Sequence, residues 1–278
     1  MGNMSGKCRR ALARILSERY GRSFVPLTSG DSTLTVGSIL ENADDTVPIV
    51  HGSVMGVKPS DLASGSKENL NLKSSSSILV EFKPKGEASH PGLFKVDEAG
   101  LVVRFSGEGQ VFLKVIGIRQ QNLQDFLAFR EKVLQRFVDG SITADMHIVR
   151  GLVVADRYLL QCGRKRDGML ALKLEASDKR KVVSLSVDAD FSIKAARSVD
   201  FQVEAPKGGV LAYRASAVRL RRAALTRGLN KKILDGVGHA AILAGLSPKD
   251  RMSLMSDGAL DLADVTDEWG LRQAMTDA

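Results

Sequence analysis

Cys8 sits between Lys7 and the pair Arg9-Arg10, and its type and setting are the strongest hint of covalent chemistry in the chain. A thiol near the start of a basic amphipathic helix suits S-acylation, and a palmitoyl group there would be the one covalent addition expected. The same residue also fits as a small member of an apolar helix face. Other chemistry is scarce. His51, His90, His147 and His239 are scattered, with no His-x-x-x-His or Cys-x-x-Cys pair, so no metal site or cofactor is expected. Ser106-Gly107-Glu108-Gly109-Gln110 lacks the Lys-[Ser/Thr] of a phosphate loop and reads as a turn. No Gly-x-Ser-x-Gly elbow and no isolated carboxylate pair occurs, so no catalytic residue is assigned and an enzyme is not expected. The two cysteines, Cys8 and Cys162, are too few for a disulfide framework and read as reduced thiols of a cytosolic protein.

The elements that would carry these residues can be read from periodicity. Cys8, Leu12, Ile15 and Leu16 form one helical stripe, and Gly21 is a stop signal. Lys7, Arg9, Arg10 and Arg14 cover the rest of that helix, a pattern suited to acidic lipid headgroups or to an ordinary solvated face. Residues 28–76 read as loops, with one brief helix around Val36, Ile39 and Leu40. Ile78–Phe82, Leu101–Phe105 and Val111–Ile118 read as strands. A helix follows, with Leu123, Phe126, Leu127, Arg130, Val133, Leu134 and Phe137 on one stripe and Asp139-Gly140 as its end. Ile148–Leu160 reads as one long strand. Alternating runs then include Leu170, Leu172 and Leu174, opposed by Lys173 and Glu175, then Val183–Val187, Val199–Val203 and Val210–Leu220. Residues 222–246 are helical in flavour. The pattern predicts an α+β fold, with helices flanking a twisted, mainly antiparallel sheet.

Charge divides the chain. The formal net charge is +8, yet residues 252–278 hold six acidic side chains against Arg272 alone, a net −5 that leaves +13 on the rest. Leu260, Leu262, Val265, Trp269 and Leu271 give that acidic tail apolar anchors. A domain of residues 1–250 and a tail of 251–278 are expected. Self-inhibition by charge complementarity and a plain solubilising tail fit this pattern equally. Basic bodies bind nucleic acid or acidic lipid, but aromatic residues are only 5% and no nucleic-acid motif occurs.

Several segments, in order, resemble the gasdermin pore-forming family. Phe24-Val25-Pro26-Leu27-Thr28-Ser29 is similar to its Phe/Leu-Ile/Val-Pro-Val-x-Ser stretch, and Val36-Gly37-Ser38-Ile39-Leu40-Glu41 to its short Asp-Ile-Leu-Glu helix, with Ser38 in place of Asp. Helix 122–138 leading into Met146-His147-Ile148-Val149, and Gly209-Val210-Leu211-Ala212-Tyr213-Arg214-Ala215, resemble later family segments. With fewer than about 60 residues after Leu220 the chain resembles bacterial members, which carry a short inhibitory tail in place of an inhibitory domain. The resemblance implies a gasdermin-like N-terminal pore-forming fold and a cytoplasmic intact form. It also implies cleavage by an activating protease, here expected around Lys249, Arg251, Leu254 and Met255. After the cut, copies of the chain would assemble with membrane lipids into a β-barrel pore in the inner membrane, causing cell death in antiviral defence. No nucleic-acid partner is implied. The alternatives are a nucleic-acid-binding protein or a peripheral lipid binder without a pore.

Overall fold

The computed structural model describes residues 6–21, 24–27, 34–41, 49–54, 57–90, 92–175, 190–205, 207–221 and 239–265. Its first element, α1 (Gly6–Tyr20), buries the four stripe residues Cys8, Leu12, Ile15 and Leu16. It stops at Gly21, whose φ of 95° few other residues tolerate and whose N–H closes on the Ser17 carbonyl at 2.9 Å.

Fifteen strands follow among the described residues, and all their pairings are antiparallel. Eleven make one sheet: β1 (Val25–Pro26), β2 (Ser38–Glu41), β3 (Ile49–Ser53), β4 (Leu62–Ser64), β5 (Glu68–Lys73), β8 (Val111–Leu123), β9 (His147–Ala155), β10 (Arg157–Gly163), β13 (Val199–Ala205), β14 (Gly209–Leu220) and β15 (Leu260–Asp264). The other four, β6 (Leu79–Lys83), β7 (Ala99–Phe105), β11 (Gly168–Glu175) and β12 (Asp190–Arg197), form a second sheet in the order β12-β11-β7-β6.

β8 is the axis of the main sheet. One edge pairs with β4 and β5, the other with β9 and β10. The strand expected over Ile148–Leu160 is therefore two, divided at Asp156. Opposite the break Gly117 takes a φ of 66°, and a Cβ there would run into the Asp156 carboxylate. That carboxylate pairs with Lys67 at 2.6 Å and Arg119 at 2.7 Å, and the Lys67 hydrogen bond, with Arg119, holds its pKa below the ordinary carboxylate value. The brief helix expected at Val36, Ile39 and Leu40 is instead the strand β2, paired with β3 and β9. Its two apolar side chains serve sheet pairing, so the short run does not identify a helix.

α2 (Phe126–Val138) is capped by Asp125, whose side chain accepts the Ala128 N–H at 2.9 Å. Two details of its expected stripe change. Leu123 belongs to β8, and Leu127 is 69% exposed, while Phe129 and Val138 are buried with Val133, Leu134 and Phe137. The helix starts later and is rotated towards Phe129. It packs with Ile148, Val218 and Leu220 of the main sheet. Two helices lie near the end of the described chain, α3 (His239–Ala244) and α4 (Pro248–Ser256).

The second sheet lies across the main sheet from α1. Residues of β8 and β10 alternate between faces. Val111, Leu113, Val115, Leu160 and Cys162 pack with α1, while Phe112 and Leu159 pack with Leu101, Val103, Phe105, Leu170, Leu172 and Leu174 of the second sheet. Register places Gln161 opposite Phe112 and Lys114 opposite Leu159, so both polar side chains lie in the layer between the sheets. Both are fully buried; the Lys114 ammonium sits 5.6 Å from the Phe191 ring centre. The outer face of the second sheet is covered too. Leu93 and Phe94 fold over Val102, Met169 and Ala171, and Gly100 leaves the space that the Phe94 ring occupies.

The attachment of this second sheet is asymmetric. The start of β6, the end of β7, the start of β11 and the end of β12 share one end, as the registers Leu79↔Arg104, Gly168↔Phe105 and Met169↔Arg197 require. All four connections to the main sheet leave from that end, making it a hinge row. Gln110 ties two of them together: its side-chain oxygen accepts from the Ser106 and Gly107 N–H groups, and its amide donates to Ser77 at 2.8 Å. Asp167 (φ 73°) and Ser198 (φ 52°), two non-glycine residues with left-handed backbone, also lie in this row.

Candidate functional site

The C-terminal segment is seated on the body by strand pairing, apolar burial and charge at once. β15 pairs with β14 over Leu260↔Leu220 to Asp264↔Ser216, while β1 covers the same edge of β14 further along, at Ala212 and Tyr213. Leu260 is fully buried, and Leu262 and Val265 are 8% and 7% exposed. Leu260 and Leu262 join Phe129, Val133 and Val218, and Val265 joins Tyr213 and Ala215. These three expected anchors are thus docked in the core; Trp269 and Leu271 lie outside the described residues, as do Val183, Leu185 and Val187.

Two aspartates of β15 meet three arginines of the body. Asp261 accepts from Arg130 at 2.7 Å and pairs with Arg221 at 3.1 Å, while a second Arg130 nitrogen donates to the Leu260 carbonyl at 2.7 Å. Asp264 pairs with Arg150, whose guanidinium lies 5.2 Å from the Phe126 ring centre. Burial pushes the Asp261 pKa up, but the bonds from Arg130 and the Leu262 N–H, with the Arg221 charge, outweigh it and leave the group below its ordinary 3.8. A depressed carboxylate contributes its full share to docking above its ordinary value and loses it as pH falls through the lowered one. Protection of the β15 amides, taken relative to their intrinsic exchange rate at each pH, is therefore expected to be constant from neutrality down to about pH 5 and to fall below about pH 4. Asp261→Asn should flatten that dependence; the same acid response in this variant would place the sensitivity elsewhere.

Residues 247–258, the polar stretch around the expected cut, are mostly the helix α4. The reason is local: Ser247 and Asp250 form a reciprocal capping box, and Pro248 starts the helix. The expected boundary at 250/251 falls within it. Of the residues expected around the cut, Lys249 is exposed, and Leu254 and Met255 pack partly buried against the α2 core. Arg251 donates to the Phe137 carbonyl at 3.1 Å and lies 4.8 Å from that ring's centre. Asp257 and Gly258, the turn between α4 and β15, are exposed.

The basic side chains of α1 divide. Lys7 pairs with Glu108 at 3.0 Å, Arg14 donates to the Ser74 carbonyl, and Arg10 is exposed without an ion pair among the described residues. Lys7, Arg10 and Arg14 line one shallow hollow beside Glu108 and Gly109; Arg9 is half-buried next to Cys8. Cys8 itself is fully buried, and the structure joins its sulfur to Cys162 across a Cα–Cα separation of 6.1 Å. The expectation of two separate reduced thiols is corrected here. The stripe that packs α1 on β10 also brings the two sulfurs together. An acyl group on Cys8 would require that link reduced and α1 raised from the sheet.

Sequence reasoning counted the tail aspartates but not their partners Arg130, Arg150 and Arg221. One signal was available, since Arg130 stands within the apolar stripe of α2. Among the described residues no three His, Cys, Asp or Glu side chains group as a metal site, and no helix is long and apolar enough to cross a membrane.

No protein-family profile matches the sequence, and no curated protein matches it. Among solved structures, the chain is similar to a cryo-EM structure of the gasdermin A3 membrane pore, at 11% identity and a TM-score of 0.31, covering 77% of this chain and 90% of that one.

Proposed function

We propose that this chain is a pore former of the gasdermin type, held inactive by its C-terminal segment until a protease separates the two. The observation that carries the reading is the second sheet. It consists of two hairpins already paired through β7 and β11, and every one of its connections leaves from one end. Such a unit can swing away from the body about a single row.

Its strands have 5, 7, 8 and 8 residues, so spanning hydrocarbon at about 9–11 residues per tilted strand would recruit residues of the tip segments. Among the described residues β6 and β12 each pair on one side only. On β6, Leu79 and Phe82 are 57% and 36% exposed. Strand direction alternates across the four, so β6 of one copy meets β12 of the next antiparallel. Only closure of such a ring satisfies every backbone group in lipid. The docked tail opposes this by holding β14, α2 and β9 together. The segments resembling gasdermins, from Phe24 to Ala215, support the same reading. The inner membrane as target and a defensive cell death follow from that resemblance.

The test inserts a specific protease site after Gly258, in the exposed turn. Dye-loaded vesicles containing acidic phospholipid should leak after the cut and not before. A cut protein that leaves the vesicles intact and stays monomeric overturns the proposal. Membrane binding without leakage would indicate the peripheral lipid binder.

A further inference from the structure

The hinge row carries positive charge that no ion pair among the described residues uses. Elsewhere several cations of the described residues are held in ion pairs: Arg19 with Glu68, Lys67 and Arg119 with Asp156, Arg157 with Asp190 and Glu204, Lys194 with Glu98, and the three arginines with the tail. At the hinge row Arg164, Lys165 and Arg166 project from the turn between β10 and β11, and Arg197 ends β12. All four are exposed and make no ion pair among the described residues.

Backbone contacts gather these residues on one end of the molecule. The Arg164 N–H bonds the Ser198 carbonyl at 3.0 Å, and the Gly109 N–H bonds the Gly163 carbonyl at 3.0 Å. A Cβ on Gly109 would touch Lys7, and the Cys8–Cys162 link sets the first turn of α1, with Arg10, beside the same turn. That first turn has no acidic residue, so the positive end of the helix dipole adds to the charge. Glu108 is already engaged with Lys7, and the remaining carboxylate of these turns, Asp167, stands beside five cations that make no ion pair among the described residues.

The geometry points to a composite cationic face, made of Arg10, Arg164, Lys165, Arg166 and Arg197, that docks the intact, uncut chain on an anionic lipid surface. This rests on the pore-forming reading for its consequence: docking would hold the hinge row of the second sheet at the lipid before any cut. A lipid surface fits better than nucleic acid. The cations sit on separate turns and a helix end with no strand or helix to enter a groove, and the exposed large apolar side chain at that end, Leu79, has no ring for base stacking. A headgroup plane asks only for several cations at one level, each worth about fivefold in binding near the surface.

The experiment uses the intact chain and vesicles of equimolar phosphatidylcholine and phosphatidylglycerol, with phosphatidylcholine vesicles and a DNA duplex as separate arms. Co-sedimentation should occur with the phosphatidylglycerol vesicles only, weaken with salt, and release no entrapped dye. The combined Arg164→Gln, Lys165→Gln and Arg166→Gln variant should bind roughly a hundredfold more weakly. A control with Lys85→Gln, Lys132→Gln and Lys249→Gln removes the same charge from exposed positions elsewhere and should bind as the parent does. An equal loss in the control would mean that net charge alone attracts the chain, and the face would be refuted. Tighter binding to the duplex, weakened by the turn variant, would assign the face to nucleic acid and also refute it. Leakage after cutting is read separately, so either idea can fail alone.

Discussion

Replacing Asp261 and Asp264 by lysine should, on the proposed function, free the C-terminal segment with no cut at all: the uncut variant is expected to release dye from acidic vesicles much as the cut protein does. The substitution turns the attractions with Arg130, Arg221 and Arg150 into repulsions while leaving Leu260, Leu262 and Val265 in place. These pairs are partly exposed, with Arg130 and Arg150 side chains at 17% and 18%, so each loss is worth about 1–3 kcal/mol before repulsion is added. Asparagine at both positions keeps the shape and removes only the charge, and it should give intermediate leakage. Melting curves would confirm that the body stays folded. If the lysine variant frees the β15 amides to exchange and the vesicles stay sealed, the docked strand is not what restrains the chain.

Reduction should be the second large effect. A link between residues 8 and 162 closes most of the chain into one loop, and such links contribute about 2–4 kcal/mol by limiting the unfolded ensemble. Dithiothreitol should lower the stability of the purified chain by about that much, and Cys162→Ala should do the same and remove the response to reductant. An alkylating probe added to the denatured, unreduced protein should find no free thiol, since Cys8 and Cys162, both buried in the native state, are its only cysteines. Labelling at both positions without reductant, with unchanged stability on reduction, would show the sulfurs to be neighbours only.

What could be read in advance follows from range. Elements fixed by local pattern were legible: the α1 stripe and its Gly21 stop, the alternation in β11 and β14, and the Asp139-Gly140 end of α2. What depended on distant partners was not. Val36, Ile39 and Leu40 show an apolar spacing that a strand and a helical turn share, and pairing with β9 decides between them. The capping box at Ser247 and Asp250 was local and could have been read, but the weak apolar pattern of Lys249–Ser256 hid the helix behind it. The site divides the same way. Acidic residues and apolar anchors in the tail were visible, whereas Arg150 and Arg221 are marked only by the register of β9 and β14. That Cys8 and Cys162 meet depends on where a helix lands on a sheet, which spacing along the chain does not encode.

The layer between the two sheets has an energetic consequence. Among the described residues, neither the nitrogen nor the oxygen of the Gln161 amide has a hydrogen-bond partner, though the side chain is fully buried. A buried polar group left in this state costs about 1–3 kcal/mol. Lys114 brings a buried ammonium into the same layer, 5.6 Å from the Phe191 ring centre. An all-apolar layer would have fused the sheets into one cooperative unit. The polar side chains in this one are expected to lower the cost of opening along the seam relative to unravelling β8, β9 and β14. The four strands of the second sheet are thus the part of the fold expected to open before the eleven of the main sheet.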